Sequence, residues 1–510
     1  MLRIPLAALF AVFALSVEGP ARAAEAPVVR VAEGQAQGVG EDGVAVFKGL
    51  PYAAPPLGPL RWRAPQAPAG WSGVRDVSAY GADCVQKRGG WDSTQSKLPV
   101  SEDCLTLNVW APAKAAGLPV MVWIHGGGFT MGSGSQPLFD GGKLARRGMV
   151  VVTLNYRLGR FGFFAHPALT AEGAGAALGN YGLMDQVAAL QWVKRNIAAF
   201  GGDPDKVTIF GESAGGGSVI QHMLMKPSQG LFRAAVSESG GGRDVWPTLA
   251  EAEQKGVAFA AKAGVQGGDA AALAQLRALP AKTVAGALDL LSGEPDIYSG
   301  PMIDGRLVTL RPSDGFAAGR QAKVPFLVGA NSNELGFIPV LFLGPVTAAA
   351  AKQLGDDKDA VVKAYGSKAE SDARLASDLT FVEPARFLAS QTSARGQPTW
   401  LYSFGYVPTA QRASQKGAGH ATELAFVFGN LGELAKPATP EDEQAATLIG
   451  DYWTAFAKTG DPNGAGRPAW PRYDAKTDQR LEISITGAAV AGPAGGPGLD
   501  AIRDHFASKK

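Results

Sequence analysis

Hydrophobic residues form short continuous runs along the chain, and a stretch with helical spacing lies between them. The runs Val120–Ile124, Val150–Leu154 and Val207–Phe210 are nearly free of polar residues, which is typical of strands buried on both faces. Asn180–Phe200 carries apolar side chains at helical intervals and is followed by two glycines. Strands that alternate with helices in this way predict a mostly parallel, twisted sheet covered by helices.

The same patterns predict the remaining elements. Val28–Val46 alternates between apolar and polar positions, as in an antiparallel hairpin that opens the sheet. Further strands are predicted at Leu105–Trp110, Arg233–Glu238, Val324–Gly329, Trp400–Phe404 and Arg480–Ile485, and a long helix at Glu441–Lys458. Lys48–Trp62 is rich in proline and predicts a surface loop, and the Gly/Pro/Ala-rich stretch Gly487–Gly498 predicts a loose tail.

Two alanine-rich stretches, Val245–Leu291 and Thr347–Gln391, read as helical and contribute no strand. We interpret them as helical insertions over a site on the sheet rather than as separate domains. Because no linker or break in composition separates them from the rest, residues 24–510 are expected to form a single domain.

Composition narrows the class of protein. The chain has 510 residues, of which 46% are hydrophobic and 18% charged, so it can bury a large core. Its formal net charge is only +2, and lysine and arginine are not clustered. Nucleic acid and anionic membranes select clustered basic residues, so neither is an expected partner.

Residues 1–23 have the pattern of a secretory signal peptide. A positive start, Met1–Arg3, precedes the apolar stretch Ile4–Val17, and Ala21–Ala23 forms an A-x-A cleavage motif. The apolar stretch is 14 residues long, which is shorter than the roughly 20 residues that span a bilayer. We therefore expect cleavage before Ala24, no membrane anchor, and export to the periplasm or the medium.

Export would place the two cysteines of the chain, Cys84 and Cys104, in an oxidising compartment. In an oxidising compartment, a lone pair this close in sequence is expected to form one disulfide.

One stretch carries the clearest chemical signal. In Val207–Met225, an apolar run meets Gly211–Gly215, which reads G-x-S-x-G, and a run compatible with a helix follows. Glycines on either side of Ser213 allow a tight turn between strand and helix, so its hydroxyl would stand exposed at the end of a sheet. Ser213 is therefore the candidate nucleophile.

A serine hydroxyl needs a base, and histidine is the usual one. Of the five histidines, His125 lies in a glycine-rich turn, His222 lies far down the same helix as the serine, His166 follows a Phe-rich loop and His505 lies in the terminal tail. Elimination leaves His420, in a flexible Gly-Ala-Gly-His loop that can present its ring.

The base in turn needs an orienting acid, which in this arrangement lies between serine and histidine in the chain. Glu334 fits, because it lies in the loop that leaves the predicted strand Val324–Gly329. Asp304 is a rival, although Asp304-Gly305 also has a strong turn signal. Spacing favours Glu334 but leaves both open.

The turn His125–Phe129, which reads HGGGF, directly follows the buried Val120–Ile124 run. Backbone N–H groups in such a turn can stabilise the oxyanion that forms in acyl transfer. A phosphate-binding loop is the alternative, but the turn lacks the Lys-Ser/Thr ending of a P-loop. The sequence holds no H-E-x-x-H motif and no clustered His/Cys set, so neither a metal nor another cofactor is expected.

Taken together, these motifs resemble the type-B carboxylesterase/cholinesterase family of α/β-hydrolases. The resemblance extends from about Val28 to Tyr473 and keeps the family's motif order. It is carried by Gly49–Pro65, Ser101–Trp110, His125–Phe129, Asn155–Phe164, Gly179–Gly216, Gly329–Phe337, Gly419–Gly429 and Tyr452–Asn463. Within the family, the chain is most similar to bacterial secreted carboxylesterases of the para-nitrobenzyl-esterase type.

The resemblance implies roles for individual residues. It makes Ser213 the nucleophile and His420 the general base, and it selects Glu334 over Asp304 as the acid. It assigns the oxyanion hole to the N–H groups of Gly127, Gly128 and Ala214. The residues that match recurrent supporting positions beside the triad are Glu212, Ser239 and Glu423, and the pair Cys84–Cys104 matches the family's first disulfide.

The function expected from the resemblance is hydrolysis of small-molecule carboxylic esters by an exported serine esterase through an acyl-enzyme. One alternative is a catalytically silent, cholinesterase-like binding or adhesion module, which would typically have lost a triad member and carry a membrane anchor. Among enzymes, the alternatives are a lipase and a narrow-specificity esterase for a bulky natural product or xenobiotic.

Overall fold

The structure is a computed structural model, and it describes residues 26–88, 95–173, 175–288, 294–336, 338 and 340–509. The signal peptide predicted at residues 1–23 lies outside the described residues.

Strands run through the whole described chain. They are β1 (Val28–Val31), β2 (Gly34–Gln37), β3 (Val39–Glu41), β4 (Val44–Pro51), β5 (Val74–Asp76), β6 (Asp83–Cys84), β7 (Val100–Ser101), β8 (Thr106–Pro112), β9 (Leu118–Ile124), β10 (Val150–Leu154), β11 (Gly202–Glu212), β12 (Ala234–Glu238), β13 (Phe326–Asn331), β14 (Thr399–Phe404), β15 (Gln479–Ile483) and β16 (Ala489–Pro493).

Eleven of these strands form one sheet in the described part of the chain, in the order β16-β15-β14-β13-β12-β11-β9-β10-β8-β4-β3. Neighbours from β10 through β15 in this order pair in parallel, whereas β8, β4 and β3 on one side and β16 on the other pair antiparallel. The prediction of a mostly parallel central sheet is confirmed.

The central strands are apolar on both faces because both faces are covered. In β9, Val120, Val122 and Ile124 belong to the core on one face, while Met121 and Trp123 belong to the core on the other. All five side chains are completely buried. This two-sided burial explains the continuous hydrophobic run in the sequence.

Helices cover the sheet and fill the long connections. They are α1 (Gly142–Arg146), α2 (Gly159–Gly162), α3 (Pro167–Glu172), α4 (Tyr181–Asn196), α5 (Ala214–Leu224), α6 (Leu249–Lys262), α7 (Ala270–Ala278), α8 (Ala281–Ala285), α9 (Pro312–Ala317), α10 (Val340–Ala351), α11 (Lys358–Ala364), α12 (Lys368–Ser377), α13 (Glu383–Ser393), α14 (Leu424–Val427), α15 (Pro440–Thr459) and α16 (Pro497–Ser508). A π-helical turn at Asp378–Val382 joins α12 to α13.

The two stretches predicted as helical insertions form helices, but the second has a further role. Helices α6, α7 and α8 pack with aromatic residues such as Trp62 and Phe164 in a core of their own. In contrast, α13 buries Ala385 and Leu388 in the main core of the sheet. Part of the predicted insertion is therefore a helix that covers the sheet, which its alanine-rich composition did not reveal.

Three local predictions are wrong in whole or in part. The predicted opening hairpin is two hairpins, since β1 and β2 join β5 in a separate small sheet while β3 and β4 join the large one. The segment Lys48–Trp62 is a surface loop only in part, because β4 extends to Pro51 and the side chain of Trp62 is buried. The tail Gly487–Gly498 contains β16, which pairs with β15, and the start of α16.

The predicted disulfide is confirmed: Cys84 and Cys104 are bonded, with their Cα atoms 5.0 Å apart. Among the described residues, no helix has both the length and the hydropathy that crossing a bilayer requires.

Candidate active site

The candidate residues gather at one edge of the sheet. Strands β9, β11, β12, β13 and β14 are parallel neighbours, so their carboxyl ends lie side by side. The glycine-rich turn follows β9, Ser213 follows β11, Ser239 follows β12, and Glu334 and His420 lie in the connections after β13 and β14. Residues far apart in sequence therefore meet because parallel strands present their carboxyl ends together.

Ser213 occupies the sharp turn between β11 and α5. Its backbone has φ 54° and ψ −124°, a region that non-glycine residues rarely adopt. The turn is held from β12, because the Ser213 N–H donates to the Glu238 carbonyl oxygen at 2.9 Å. The hydroxyl thus stands at the N-terminus of α5, where the helix dipole favours negative charge.

The turn requires glycine beside it. A Cβ atom on Gly215 would lie 2.0 Å from the carbonyl oxygen of Ile124, and one on Gly211 would lie 2.6 Å from the carbonyl oxygen of Gly215. The G-x-S-x-G pattern is therefore a packing requirement of the close approach between helix α5 and strands β9 and β11.

Glu334 and His420 form a hydrogen-bonded pair. Their side chains meet with His420 Nδ1 2.6 Å from Glu334 Oε2, and the carboxylate is completely buried. The two loops are also joined along their backbones, since the His420 N–H donates to the Glu334 carbonyl oxygen at 3.0 Å. This backbone contact fixes the histidine loop, which the sequence alone describes only as flexible.

Glu334 accepts two further hydrogen bonds through its other carboxylate oxygen. The Ser239 hydroxyl donates to Oε1 at 2.6 Å, and the Asn331 backbone N–H donates to it at 2.7 Å. These donors compensate the buried negative charge and leave Oε2 for His420 alone.

The other ring nitrogen of His420 points toward the serine turn. His420 Nε2 lies 3.0 Å from Glu212 Oε1, a carboxylate oxygen of the residue before Ser213. Among the described residues, Glu212 Oε1 accepts no hydrogen bond of good geometry, and none joins His420 to the Ser213 hydroxyl. On one side of the ring, Phe381 from the π-helical turn packs with its centroid 4.9 Å away.

Glu423 lies beside the same loops. Its Oε2 accepts from the Asn331 side-chain amide, which also donates to the Gly419 carbonyl oxygen at 2.7 Å. The Asn331 amide therefore links Glu423 to the loop that carries His420.

A further buried carboxylate, Glu238, was not predicted. It is the last residue of β12 and pairs in register with Glu212 of β11, so both side chains leave the sheet next to each other. Glu238 is completely buried, and its Oε1 accepts from the Trp453 indole N–H at 3.1 Å. The sequence does carry a signal for it, because Glu238, like Glu212, is a charged residue at the end of an apolar run that predicts a buried strand.

Burial dominates the titration of these carboxyl groups. It raises the pKa of Glu212 to about 7 and that of Glu238 to about 8, and it raises the pKa of Glu423 well above the ordinary value. Burial alone would lower the pKa of His420, but the neighbouring charges of Glu212 and Glu334 outweigh it and raise that pKa above 6.5. Negative charge therefore stabilises the protonated form of the His420 ring.

The glycine-rich turn lies against the serine turn. Gly127 and Gly128 have positive φ angles of 99° and 60°, and a Cβ on the preceding Gly126 would lie 3.1 Å from the Ser213 Cβ. Hydrogen bonds within the described chain do not use the N–H groups of Gly127 or Gly128. Ala214 is the first residue of α5, so its N–H has no partner within the helix.

Asp304, the rival acid, is engaged elsewhere. Its Oδ1 accepts the backbone N–H groups of Arg306, Leu307 and Val308, and its Oδ2 accepts the Asn180 side-chain amide. It therefore caps a turn, as the Asp-Gly signal indicated, and does not reach His420.

The remaining histidines are also engaged. His125 stacks on Tyr156 and its pKa is lowered to about 4 by burial, while His166 accepts from the Ala168 N–H at the start of α3. His505 lies in the terminal helix α16, with Nδ1 2.7 Å from Asp357 Oδ2. Excluding these three from the base position agrees with their contacts.

A serine on a strand-to-helix turn, at the carboxyl edge of a parallel sheet and beside a histidine bonded to a glutamate, defines an α/β-hydrolase. Comparison with known proteins agrees: the model of the carboxylesterase family matches residues 25–372 and 345–492. The chain belongs to this family and is a carboxylic ester hydrolase.

Among its relatives, the para-nitrobenzyl esterase of Bacillus subtilis (strain 168) is 40% identical over 480 residues, covering 90% of this chain and 96% of that enzyme. The fumonisin B1 esterase of Sphingopyxis macrogoltabida is 37% identical over 479 residues, covering 90% of this chain and 86% of that enzyme. A solved structure of a PNB esterase has a TM-score of 0.80 at 37% identity, covering 91% of this chain and 97% of that one.

Proposed function

We propose that this protein is an exported serine esterase that cleaves carboxylic esters through an acyl-enzyme on Ser213, with His420 and Glu334 completing the triad. The observation that carries the proposal is the 2.6 Å contact between Glu334 and His420 Nδ1. This contact directs the opposite ring nitrogen toward the turn that bears Ser213.

In the first step, the Ser213 oxygen attacks the ester carbonyl carbon while His420 Nε2 takes the hydroxyl proton. Glu334 accepts the Nδ1–H, which keeps Nε2 unprotonated and stabilises the imidazolium that forms. A hydrogen bond from the Ser213 hydroxyl to Nε2 is expected to form when substrate binds, as catalytic contacts commonly do.

The tetrahedral intermediate carries a negative charge on the former carbonyl oxygen. The N–H groups of Gly127, Gly128 and Ala214 border the serine turn, and none is required by secondary structure. We assign them as the oxyanion hole, since fixed backbone donors stabilise developing charge without reorganisation.

Collapse of the intermediate releases the alcohol, whose oxygen receives the proton from His420, and leaves an acyl ester on Ser213. Water then attacks this ester while His420 takes a proton from it. A second collapse releases the carboxylic acid and returns the proton to the Ser213 oxygen.

The neighbouring carboxyl groups keep the charge pattern simple. Burial raises the pKa of Glu212 to about 7 and that of Glu238 to about 8, and it raises the pKa of Glu423 well above the ordinary value. Burial therefore opposes a further negative charge on each of these three groups beside the triad.

A bulky natural-product ester is a second candidate substrate. It is favoured by one relative, the fumonisin B1 esterase, which matches this chain over most of its length. Hydrolysis of fumonisin B1 by the purified protein, followed by mass spectrometry, tests this candidate directly.

The proposal is tested with para-nitrophenyl esters from acetate to palmitate. Wild-type protein is compared with Ser213→Ala and with Ser237→Ala, which removes a different and completely buried serine hydroxyl from the neighbouring strand β12. We expect Ser213→Ala to lower kcat by roughly 10⁴-fold or more, and Ser237→Ala to retain it.

An organophosphonate probe should label the wild type and leave Ser213→Ala unlabelled. Activity of Ser213→Ala close to that of the wild type would refute the assignment. A folded wild type that turns over no ester and takes no label would favour a silent binding module instead.

Export is tested at the N-terminus. If residues 1–23 are a signal peptide, protein recovered from the periplasm or the medium should begin at Ala24. Protein that stays in the cytoplasm with Met1 intact would contradict the prediction.

A further inference from the structure

A line of buried polar side chains runs beneath the helix that begins after Ser213. His222 Nδ1 lies 2.8 Å from the Ser228 hydroxyl, and its Nε2 lies 3.0 Å from Gln186 Oε1. The Gln186 amide donates to the Ser218 hydroxyl at 3.1 Å, and that hydroxyl donates to the Ala214 carbonyl oxygen at 2.9 Å. The four side chains are at most 1% exposed, so water does not compete for these bonds.

The hydrogen bonds of this line can all be formed only if each group donates toward Ala214. Gln186 presents its nitrogen to Ser218, so its oxygen must accept from His222, and the ring proton lies on Nε2. His222 Nδ1 is then an acceptor for the Ser228 hydroxyl. Burial lowers the pKa of His222 to about 3, so the ring stays neutral and the direction does not change with pH.

The line ends at a residue that matters for the proposed mechanism. Ala214 is the first residue of α5, and its N–H is one of the proposed oxyanion donors. On the sheet side, the same helical turn is in tight contact, since a Cβ on Gly215 would lie 2.0 Å from the Ile124 carbonyl oxygen. The first turn of α5 is therefore held by the sheet on one side and by the Ser218 hydroxyl on the other.

We propose that the hydrogen-bonded line Ser228–His222–Gln186–Ser218 positions Ala214 for oxyanion binding, and that His222 sets the direction of the line. This inference rests on the proposed role of Ala214. His222 acts here as a positioning residue, because it touches no reacting atom.

The dependence on His222 follows from the Gln186 amide. When the imidazole N–H is absent, nothing holds the amide oxygen on that side. The amide can then turn its oxygen to the Ser218 hydroxyl, which would donate to Gln186 and leave the Ala214 carbonyl oxygen.

Two variants break the line and one preserves it. His222→Phe keeps a planar ring but removes both nitrogens, and Ser218→Ala removes the last donor. His222→Gln keeps an N–H that can reach Gln186. The matched control is Ser237→Ala, because the Ser237 hydroxyl also donates to a carbonyl oxygen of α5, that of Gly216 at 3.1 Å. In the part of the chain that the structure describes, no side chain continues a line of hydrogen bonds from Ser237.

We expect kcat for para-nitrophenyl butyrate to fall by about tenfold in His222→Phe and in Ser218→Ala. This loss is smaller than the roughly 10²–10³-fold loss caused by deleting an oxyanion donor, because the Ala214 N–H is displaced and not removed. KM should change by less than about twofold, since ground-state binding does not need the oxyanion hole. His222→Gln should recover most of the activity, and Ser237→Ala should lose none. Active-site titration with the organophosphonate expresses every rate per competent molecule, which removes the contribution of misfolded protein.

A trifluoromethyl ketone inhibitor supplies the readout that separates positioning from stability. Its hemiketal oxyanion binds where the ester oxyanion forms, so its affinity should fall by about tenfold in step with kcat. Variants that lower the melting temperature but keep kcat and inhibitor affinity would overturn the proposal. Equal losses in Ser237→Ala and Ser218→Ala would overturn it too.

The experiment separates this inference from the proposed function. Turnover that survives Ser213→Ala would overturn the proposed function together with the positioning role of His222. If kcat falls as expected in Ser213→Ala but is unchanged in His222→Phe, the positioning role alone is overturned.

Discussion

Replacing Glu334 by glutamine changes a single atom, and the structure specifies how the new amide must lie. The Asn331 backbone N–H, 2.7 Å from Oε1, is a fixed donor and must face the amide oxygen. The amide nitrogen then takes the place of Oε2, 2.6 Å from His420 Nδ1. Because an amide nitrogen only donates, Nδ1 must become an acceptor, and the ring proton moves to Nε2. The ring can then no longer take the proton from Ser213.

Two costs determine the size of the effect. To keep the active tautomer, the amide nitrogen would have to face the Asn331 N–H, and two buried donors without acceptors cost about 1–3 kcal/mol. Losing the charged hydrogen bond to the imidazolium costs about 1.5–3 kcal/mol more. Together they amount to about 2.5–6 kcal/mol, so Glu334→Gln should lower kcat by about 10²–10⁴-fold.

The assay is turnover of para-nitrophenyl butyrate, normalised to the protein that the organophosphonate labels. Asp304→Asn is the matched control, since it makes the same chemical change in the rival acid. It should alter the stability of its turn while kcat stays close to that of the wild type. If Glu334→Gln retained kcat within about tenfold, or Asp304→Asn lost as much, the reasoning would be refuted.

Two further perturbations test other parts of the structure. Glu212→Gln removes a negative charge that raises the pKa of His420. Since the base acts when unprotonated, activity present above that pKa should persist to lower pH, and the acid limb of kcat/KM should move to lower pH. An acid limb that stays in place or moves to higher pH, measured from about pH 5 to pH 11, would contradict this. Replacing both Cys84 and Cys104 by serine reopens a loop with a sequence separation of 20 and should lower the free energy of unfolding by about 3 kcal/mol at unchanged kcat. Dithiothreitol should lower the melting temperature of the wild type and have no effect on the double variant, and equal melting temperatures of the two proteins would argue against the loop-entropy estimate.

Local patterns predict the strands of the sheet well where burial is complete. Val150–Leu154 has the same bounds in the sequence pattern and in β10, because an uninterrupted β-branched run fits only a strand covered on both faces. The segment up to Trp62 was misjudged because its prolines signal a loop, while the burial of Trp62 depends on helices α6–α8, far away in the chain. The edge strand β16 was missed for a related reason, since its glycine and proline are tolerated only at an edge.

In the candidate site too, local sequence predicts some residues, whereas others depend on contacts between distant segments. The serine turn follows from Gly211–Gly215 alone, because its glycines are demanded by contacts within a few residues and with the adjacent strand. The choice between Glu334 and Asp304 needed the family resemblance, and the contacts of both acids agree with it. The apolar run before Glu238 marks this glutamate as unusual, but its place beside Glu212 does not follow from the sequence, because the pairing is a matter of sheet register between separate strands.

The order in which the site groups occur along the chain has a consequence for synthesis. Ser213 leaves the ribosome long before His420, and β14, which precedes the histidine loop, pairs between β13 and β15. If His420 is the base, as we propose, a nascent chain that ends anywhere before it carries the serine without its base. The proposed mechanism then predicts that hydrolytic activity arises only late in translation, when strands β14 and β15 join a sheet whose earlier strands have already emerged.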